Sequence, residues 1–132
     1  MNMASNIIVA DRNPHVRQFL AREFGAVGYH VHLAESAKEV IEIAHQSGTC
    51  DVLVLDPDLP DTDPALLLDE LSTRIPRLPV VVHSISSNIK DLQNRSGIIR
   101  IIEKSGNSIE ILKELIASIL QESGCSSESA EE

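Results

Sequence analysis

Residues 51–61 read Asp51-Val52-Leu53-Val54-Leu55-Asp56-Pro57-Asp58-Leu59-Pro60-Asp61. Four consecutive aliphatic residues without polar alternation predict a strand buried on both faces, and so a central strand of a parallel sheet. The run ends on a carboxylate. Pro57 directly after it stiffens the loop and removes one backbone donor.

Outward from this strand, short apolar runs alternate with segments of helical period. Upstream, Ile7 to Ala10 is a strand, and Asn13-Pro14 reads as an N-cap followed by proline at the first helical position. Val16, Leu20, Phe24 and Val27 follow at helical spacing, with Gly25 and Gly28 at the helix end. Tyr29 to Leu33 is a second strand, and Ser36 with Glu39 forms a capping box for a helix bearing Val40, Ile41 and Ala44. Downstream, Thr62 and Pro64 open a helix whose Leu66, Leu67 and Leu68 read as core. Val80 to Val82 and Ile98 to Ile102 are strands, with a short helix expected between Ser87 and Asn94. Ile109, Leu112, Ile116 and Ile119 line a last helix capped by Asn107 or Ser108. These βα units imply an α/β domain over residues 1–121, a parallel sheet covered on both faces. From 122 to 132 the chain is Ser, Glu and Gly rich, the composition of a disordered acidic tail or the start of a linker.

In such sheets the working groups lie beyond the carboxyl ends of the strands. Asp11-Arg12 follow the first strand, Asp56 to Asp61 the third, His83-Ser84 end the fourth, and Glu103-Lys104 the fifth. A carboxylate cluster there suits Mg²⁺, which takes hard oxygen ligands and keeps waters. One carboxylate can then attack phosphorus to form an acyl phosphate, with an ammonium and a hydroxyl on the phosphoryl oxygens. From the residues alone this is one option among several.

The segments Ile7-Ile8-Val9-Ala10-Asp11, Asp51 to Asp56, Leu59-Pro60, Pro79-Val80-Val81-Val82-His83-Ser84 and the late Lys104 resemble the response-regulator receiver family, in matching order over residues 6–121. No single motif is specific; five in register are. The resemblance implies a flavodoxin-like (βα)5 doubly wound sheet with strand order 2-1-3-4-5. It also implies a phosphoryl acceptor at Asp56, a hydroxyl at Ser84 that follows the phosphoryl group, and a pocket lysine at Lys104. Mg²⁺, where it binds, would be held by Asp11, Asp56 and Asp58, the last normally through its backbone carbonyl. Asp63 matches an aspartate of the following loop, and Ile101 stands where many members carry a switching aromatic.

The pattern breaks at Arg12, which occupies the place of the second acid of the pair, normally a direct Mg²⁺ ligand. One reading has the guanidinium replace the metal, bridging Asp56 and Asp58 or Asp11. The other has Arg12 in solvent and Asp58 supplying the missing carboxylate. Either way metal binding is weakened or lost and phosphorylation slowed. Ser105 replaces the usual proline after the lysine, and Ile101 has no aromatic rotamer to switch.

Composition narrows the partners. In 132 residues the net charge is −9 and aromatics are only 2%, which argues against nucleic-acid surfaces needing basic grooves and stacking platforms. No apolar run approaches the ~20 residues of a membrane span. Cys50 and Cys125 lack metal-ligand spacing, and the N-terminus shows no signal peptide, so a reduced cytoplasmic location is expected. The five histidines also lack ligand spacing. His30 and His32 share one face of a solvated edge strand, and His83 reads as a hydrogen-bonded core histidine rather than a pH sensor.

The leading expectation is a two-component signalling receiver and phosphorelay element. It takes phosphoryl groups on Asp56 from a histidine kinase or phosphotransfer protein, and signals to a downstream protein as a monomer or weak homodimer. It would not be an enzyme beyond phosphorylation and dephosphorylation of its own aspartate. The alternative is a pseudo-receiver, a constitutive interaction module locked by an Arg12–Asp56 ion pair. A small hydrolase on the same fold is a third reading, with no cap domain or second acid to support it.

Overall fold

Aliphatic side chains at alternate strand positions send two sets of residues to opposite faces of one sheet, and the helices cover both. The computed structural model describes residues 5–47, 50–73, 77–85, 92, 95 and 97–131. Strands β1 (Asn6–Ala10), β2 (His30–Ala34), β3 (Val52–Leu55), β4 (Val80–Ser84) and β5 (Ile98–Glu103) are all parallel, in the order β2-β1-β3-β4-β5. The described helices are α1 (Pro14–Val27), α2 (Ala37–Ser47), α3 (Pro64–Leu71) and α4 (Ser108–Glu131). Fold and strand order are those expected. The helix expected between Ser87 and Asn94 falls outside the described residues, apart from the buried, helical Leu92.

On one face Ile8, Leu53, Leu55 and Val82 pack with Val40 and Ala44 of α2 and Leu67, Leu68 and Leu71 of α3. On the other, Ile7, Val9, Val54 and Val81 pack with Leu20 and Phe24 of α1 and Leu112 and Ile116 of α4. Each such side chain larger than alanine contributes about 1.5–3 kcal/mol relative to exposure. β2 is an edge strand as expected, with His30 exposed and His32 Nε2 3.0 Å from Asn6 Oδ1. At the opposite edge a bulge sets Val80 against Ile98 and Val81 against Arg100, which leaves Ile99 as the extra residue.

Helix starts follow local chemistry. Asn13 caps α1, its side chain accepting from His15 N at 2.9 Å, and Gly28 closes that helix at φ 112°, a conformation that favours glycine. Ser36 Oγ accepts from Glu39 N at 3.2 Å; Glu39 Oε1 reaches back to Glu35 N at 2.8 Å rather than to Ser36 N. The α3 cap is Asp63, which accepts from Ala65 N, and not Thr62. At α4, Asn107 holds the cap position through its carbonyl, which accepts from Glu110 and Ile111 N–H. Two expected core residues are exposed: Leu66 (63%) on the outer side of α3 and Val27 (52%) in the last turn of α1. The α4 backbone stays helical through 122–131, the stretch whose composition implied a disordered tail.

His83 is a polar exception within fully buried β4. Its Nε2 lies 3.1 Å from Ser108 Oγ, and Nδ1 has no partner among the described residues. Ser108 Oγ also donates to Ser105 O at 3.0 Å. Its single proton is committed there, which assigns the hydrogen of the His83–Ser108 bond to Nε2. Burial, then the neighbouring Lys104 charge, push the His83 pKa down from 6.5 to about 4.

Two stability predictions follow from these contacts. Asn13→Ala should cost about 1 kcal/mol in urea unfolding, the usual value of a lost N-cap bond. Between pH 6.5 and about 4 the unfolded chain protonates His83 while the folded chain does not, so stability falls as pH falls, by up to about 3 kcal/mol. His83→Gln should flatten that acid limb relative to the wild-type chain. Parallel curves for the two proteins across this window would show that His83 carries none of the pH dependence.

Candidate functional site

The sheet reverses direction of strand addition between β1 and β3, which leaves a crevice at their carboxyl ends. Ala10 pairs with Leu55 in this register, and Asp56 N donates to Ala10 O at 2.8 Å. Asp11 and Asp56, the next residue on each strand, are therefore brought side by side, 1% and 6% exposed. β5 delivers Lys104 to the same edge, its backbone N–H donating to Ser84 O at 2.7 Å. The Lys104 ammonium lies 2.9 Å from Asp11 Oδ2 and 2.9 Å from Asp56 Oδ2. Two carboxylates share one cation.

Both carboxylates are held by their other oxygen as well. Asp11 Oδ1 accepts from Asn13 N, and Asp56 Oδ1 accepts from Asp58 N, each at 2.9 Å. Pro57 has no N–H, so Asp58 is the first residue of the loop able to make the second bond. Burial raises the Asp11 pKa above the ordinary carboxylate value, against hydrogen bonds from Lys104 and Asn13; the nearby Asp56 charge also raises it. Burial alone would lower the Lys104 pKa, but hydrogen bonds to Asp11 and Asp56 outweigh it and raise the pKa above the ordinary lysine value.

Arg12 does not bridge Asp56 or Asp11. It lies over Asp58 at 3.6 Å, with the two side chains 56% and 81% exposed. The cation between the buried carboxylates is Lys104. Asp58, turned out to Arg12, does not stand in the place of the missing acid. Ser84 is buried at the end of β4, and Ile101 packs partly buried against the core beside Val80 and Val82.

Two residues that sequence reasoning passed over support the site. Arg17 Nη1 donates to the Asp11 carbonyl at 2.7 Å and braces the loop after β1 from inside α1. Asp61 accepts from Ala37 N and Lys38 N at 2.8 and 3.0 Å, which caps α2 from the loop after β3 and anchors that loop. Those hydrogen bonds, led by Ala37 N–H, lower the Asp61 pKa despite an opposing effect of burial. The Arg17 signal was its place one turn into a capped helix. Asp61 gave none, because its partners are over twenty residues away.

Among the described residues no group of three or more His, Cys, Asp or Glu side chains is gathered around a metal position. Mg²⁺ is commonly held by one or two carboxylates with waters completing its shell. Asp11 and Asp56 meet that minimum, since one oxygen of each already faces the same nitrogen, and Arg12 lies outside the space between them. The residues fit a reduced site of two carboxylates. A cavity of about 250 Å³ adjoins it, lined in part by Val16, Phe19, Leu20, His83, Lys104 and Ser108. A larger one of about 360 Å³ lies between α2 and α3 and includes none of Asp11, Asp56, Ser84 or Lys104. Chemistry, not volume, locates the site. No described helix is long and apolar enough to cross a membrane.

The response regulator receiver domain family matches residues 7–116. Response regulator protein TrrA from Thermotoga maritima, solved in complex with Mg²⁺–BeF, is 23% identical with a TM-score of 0.76, covering 87% of this chain and 98% of that one. A signal receiver domain from Vibrio parahaemolyticus is 16% identical with a TM-score of 0.81, covering 95% of this chain and 96% of that one. These two likenesses bear on the fold. NtrX from Brucella abortus is 27% identical with a TM-score of 0.81, covering 98% of this chain and 29% of that longer one. No curated protein sequence matches. The family match takes in all five strands and the beginning of α4: the chain belongs to the response regulator receiver domains.

Proposed function

We propose that this receiver domain accepts a phosphoryl group on Asp56 from a histidine-kinase or phosphotransfer partner in the cytoplasm, and signals through protein contacts. The supporting observation is the pairing of two buried carboxylates with a single ammonium, Lys104, at the sheet's switch point. That arrangement retains a net negative charge, which attracts a divalent cation, and a cation beside Asp56 suits the charge that a phosphoryl group would bring.

In the reaction a carboxylate oxygen of Asp56 attacks phosphorus. The new O–P bond forms as the bond from phosphorus to the donor's imidazole nitrogen breaks, and the imidazole leaves with the electron pair. Asp58 N–H holds Oδ1, so the freer nucleophile is Oδ2, released as Lys104 moves from the carboxylate toward the incoming phosphoryl oxygens. The Ser84 hydroxyl takes another phosphoryl oxygen. Mg²⁺, where it binds, would be held by Asp11 and Asp56 and would supply charge neutralisation in the same crevice. Chemistry is confined to the domain's own aspartate, and the β4–β5 edge carries the change to a downstream protein.

A second reading is favoured by one observation: Arg12 stands where a metal-binding acid is expected and pairs with Asp58. In that reading the domain is an unphosphorylated interaction module, with Lys104 as the permanent counter-ion of the pocket.

Intact mass after incubation with acetyl phosphate and Mg²⁺ separates the two. The expected result is one phosphoryl adduct, absent in Asp56→Ala. A folded wild-type protein that takes no adduct would exclude phosphoryl acceptance and leave the interaction module. Arg12→Asp turns a repelling charge into a ligand and should tighten Mg²⁺ by roughly tenfold or more in calorimetric titration. Unchanged affinity would mean that residue 12 does not reach the metal from this loop.

A further inference from the structure

Lys104 has four rotatable side-chain bonds, and the loop that follows it, Ser105-Gly106-Asn107, contains a glycine and no proline. Its ammonium nevertheless stands at 2.9 Å from both carboxylates. Something must hold the loop. The backbone bond from Lys104 N to Ser84 O fixes one side, and the other side is fixed at Ser105. The Ser105 carbonyl accepts from Ser108 N at 3.2 Å and from Ser108 Oγ at 3.0 Å, and the Ser105 hydroxyl bonds Asn107 Oδ1 at 2.9 Å. Ser108 Oγ is held in turn by His83 Nε2 from β4, 3.1 Å away.

His83 is 4% exposed, and its Nδ1 has no partner among the described residues. A valine or leucine would fill this strand position with no buried unpaired atom. The imidazole is explained by what its other nitrogen does. We infer that His83 and Ser108 are positioning residues for Lys104: the hydrogen-bond chain His83 Nε2–H to Ser108 Oγ, and Ser108 Oγ–H to Ser105 O, locks the loop so that the ammonium bridges Asp11 and Asp56. Neither residue touches the carboxylates. Both act through the backbone of the loop, and His83 ties it to the strand that carries Ser84. The inference rests on the phosphoacceptor reading for its role in catalysis, but the positioning itself does not need phosphorylation to be observed.

Four variants test it. Ser108→Ala and His83→Leu each cut the chain; Ser108→Thr keeps the hydroxyl and His83→Gln keeps a donor. The first readout is NMR of the Lys104 side chain, using the exchange of its ammonium protons with water and the order of its Cε. Cutting the chain should speed that exchange roughly tenfold and lower the order, as expected when a local opening becomes easier. Ser108→Thr and His83→Gln should restore both. The second readout is the rate of acetyl phosphate labelling, which should fall roughly tenfold in the two cut variants and recover in the two conservative ones. Unaltered Lys104 exchange and order in folded Ser108→Ala and His83→Leu would overturn the inference. Where one of these variants fails to fold, the other decides. A wild-type protein that is never labelled would remove the phosphoacceptor reading, while the NMR result would still decide whether the chain positions Lys104.

Discussion

Asp11 and Asp56 stand together out of water because the sheet pairs Ala10 with Leu55, and both strands end at the same level. Two buried carboxylates repel one another and lose hydration, so the arrangement depends on a cation and on hydrogen bonds to the charged forms. Lys104 is that cation. Taking one partner from a buried ion cluster usually costs about 3–5 kcal/mol, because the charges left behind have nothing to replace it. Much of the surrounding structure is the means of keeping the ammonium there: the Lys104 N–H on Ser84 O, the turn bonds from Asn13 and Asp58, and Arg17 on the Asp11 carbonyl.

The acids of the loop after β3 divide their tasks by depth. Asp56 is buried and faces Lys104, while Asp58 is exposed and faces Arg12. Asp61 caps α2 across the molecule, and Asp63 caps α3 locally. A loop that caps the helices on either side of it can move little without undoing one of those ends. The phosphoacceptor candidate is thereby held rigidly although its flanks are surface loop. The acidic run reads as one cluster in sequence, yet only its first member lies in the pocket.

Strands, their order and most helix starts were legible because their causes are local or periodic. Unbroken aliphatic runs gave β3 and β4, and Asn13-Pro14 gave the start of α1. The family resemblance supplied the order of the strands. Asp11, Asp56 and Lys104 were legible as a group once strand ends were taken as the working edge. What was not legible depends on direction or on distant partners. The side toward which Arg12 turns is set by its flank of the loop, since Asp58 offers an exposed partner while Lys104 already fills the gap between the buried acids. Leu66 reads as core from composition, but α3 covers the sheet with Leu67, Leu68 and Leu71, and the helical period leaves Leu66 outside. The cap from Asp61 to α2 and the bond from His83 to Ser108 both join segments far apart in sequence, and neither has a local signal.

The exchange of an acid for Arg12 fits this charge balance. With a second acid beside Asp11 the pocket would hold three negative charges against one ammonium; with Arg12 it holds two against one, and the guanidinium at the rim offsets Asp58. The pocket is therefore closer to neutral before any ligand arrives, and the electrostatic gain from a divalent cation is smaller. In the proposed phosphoacceptor reading the same balance bears on the phosphoryl group. Its added negative charge must be met chiefly by Lys104, which has to loosen from Asp11 and Asp56 in order to meet it. The strength with which Lys104 holds the two carboxylates thus opposes its movement toward a phosphoryl group, while the loop fixed by Ser108 and His83 keeps the ammonium within reach of both. In a pocket with so few cations, the position of one lysine bears on how stable the resting domain is and, in the proposed phosphoacceptor reading, on how readily Asp56 takes a phosphoryl group.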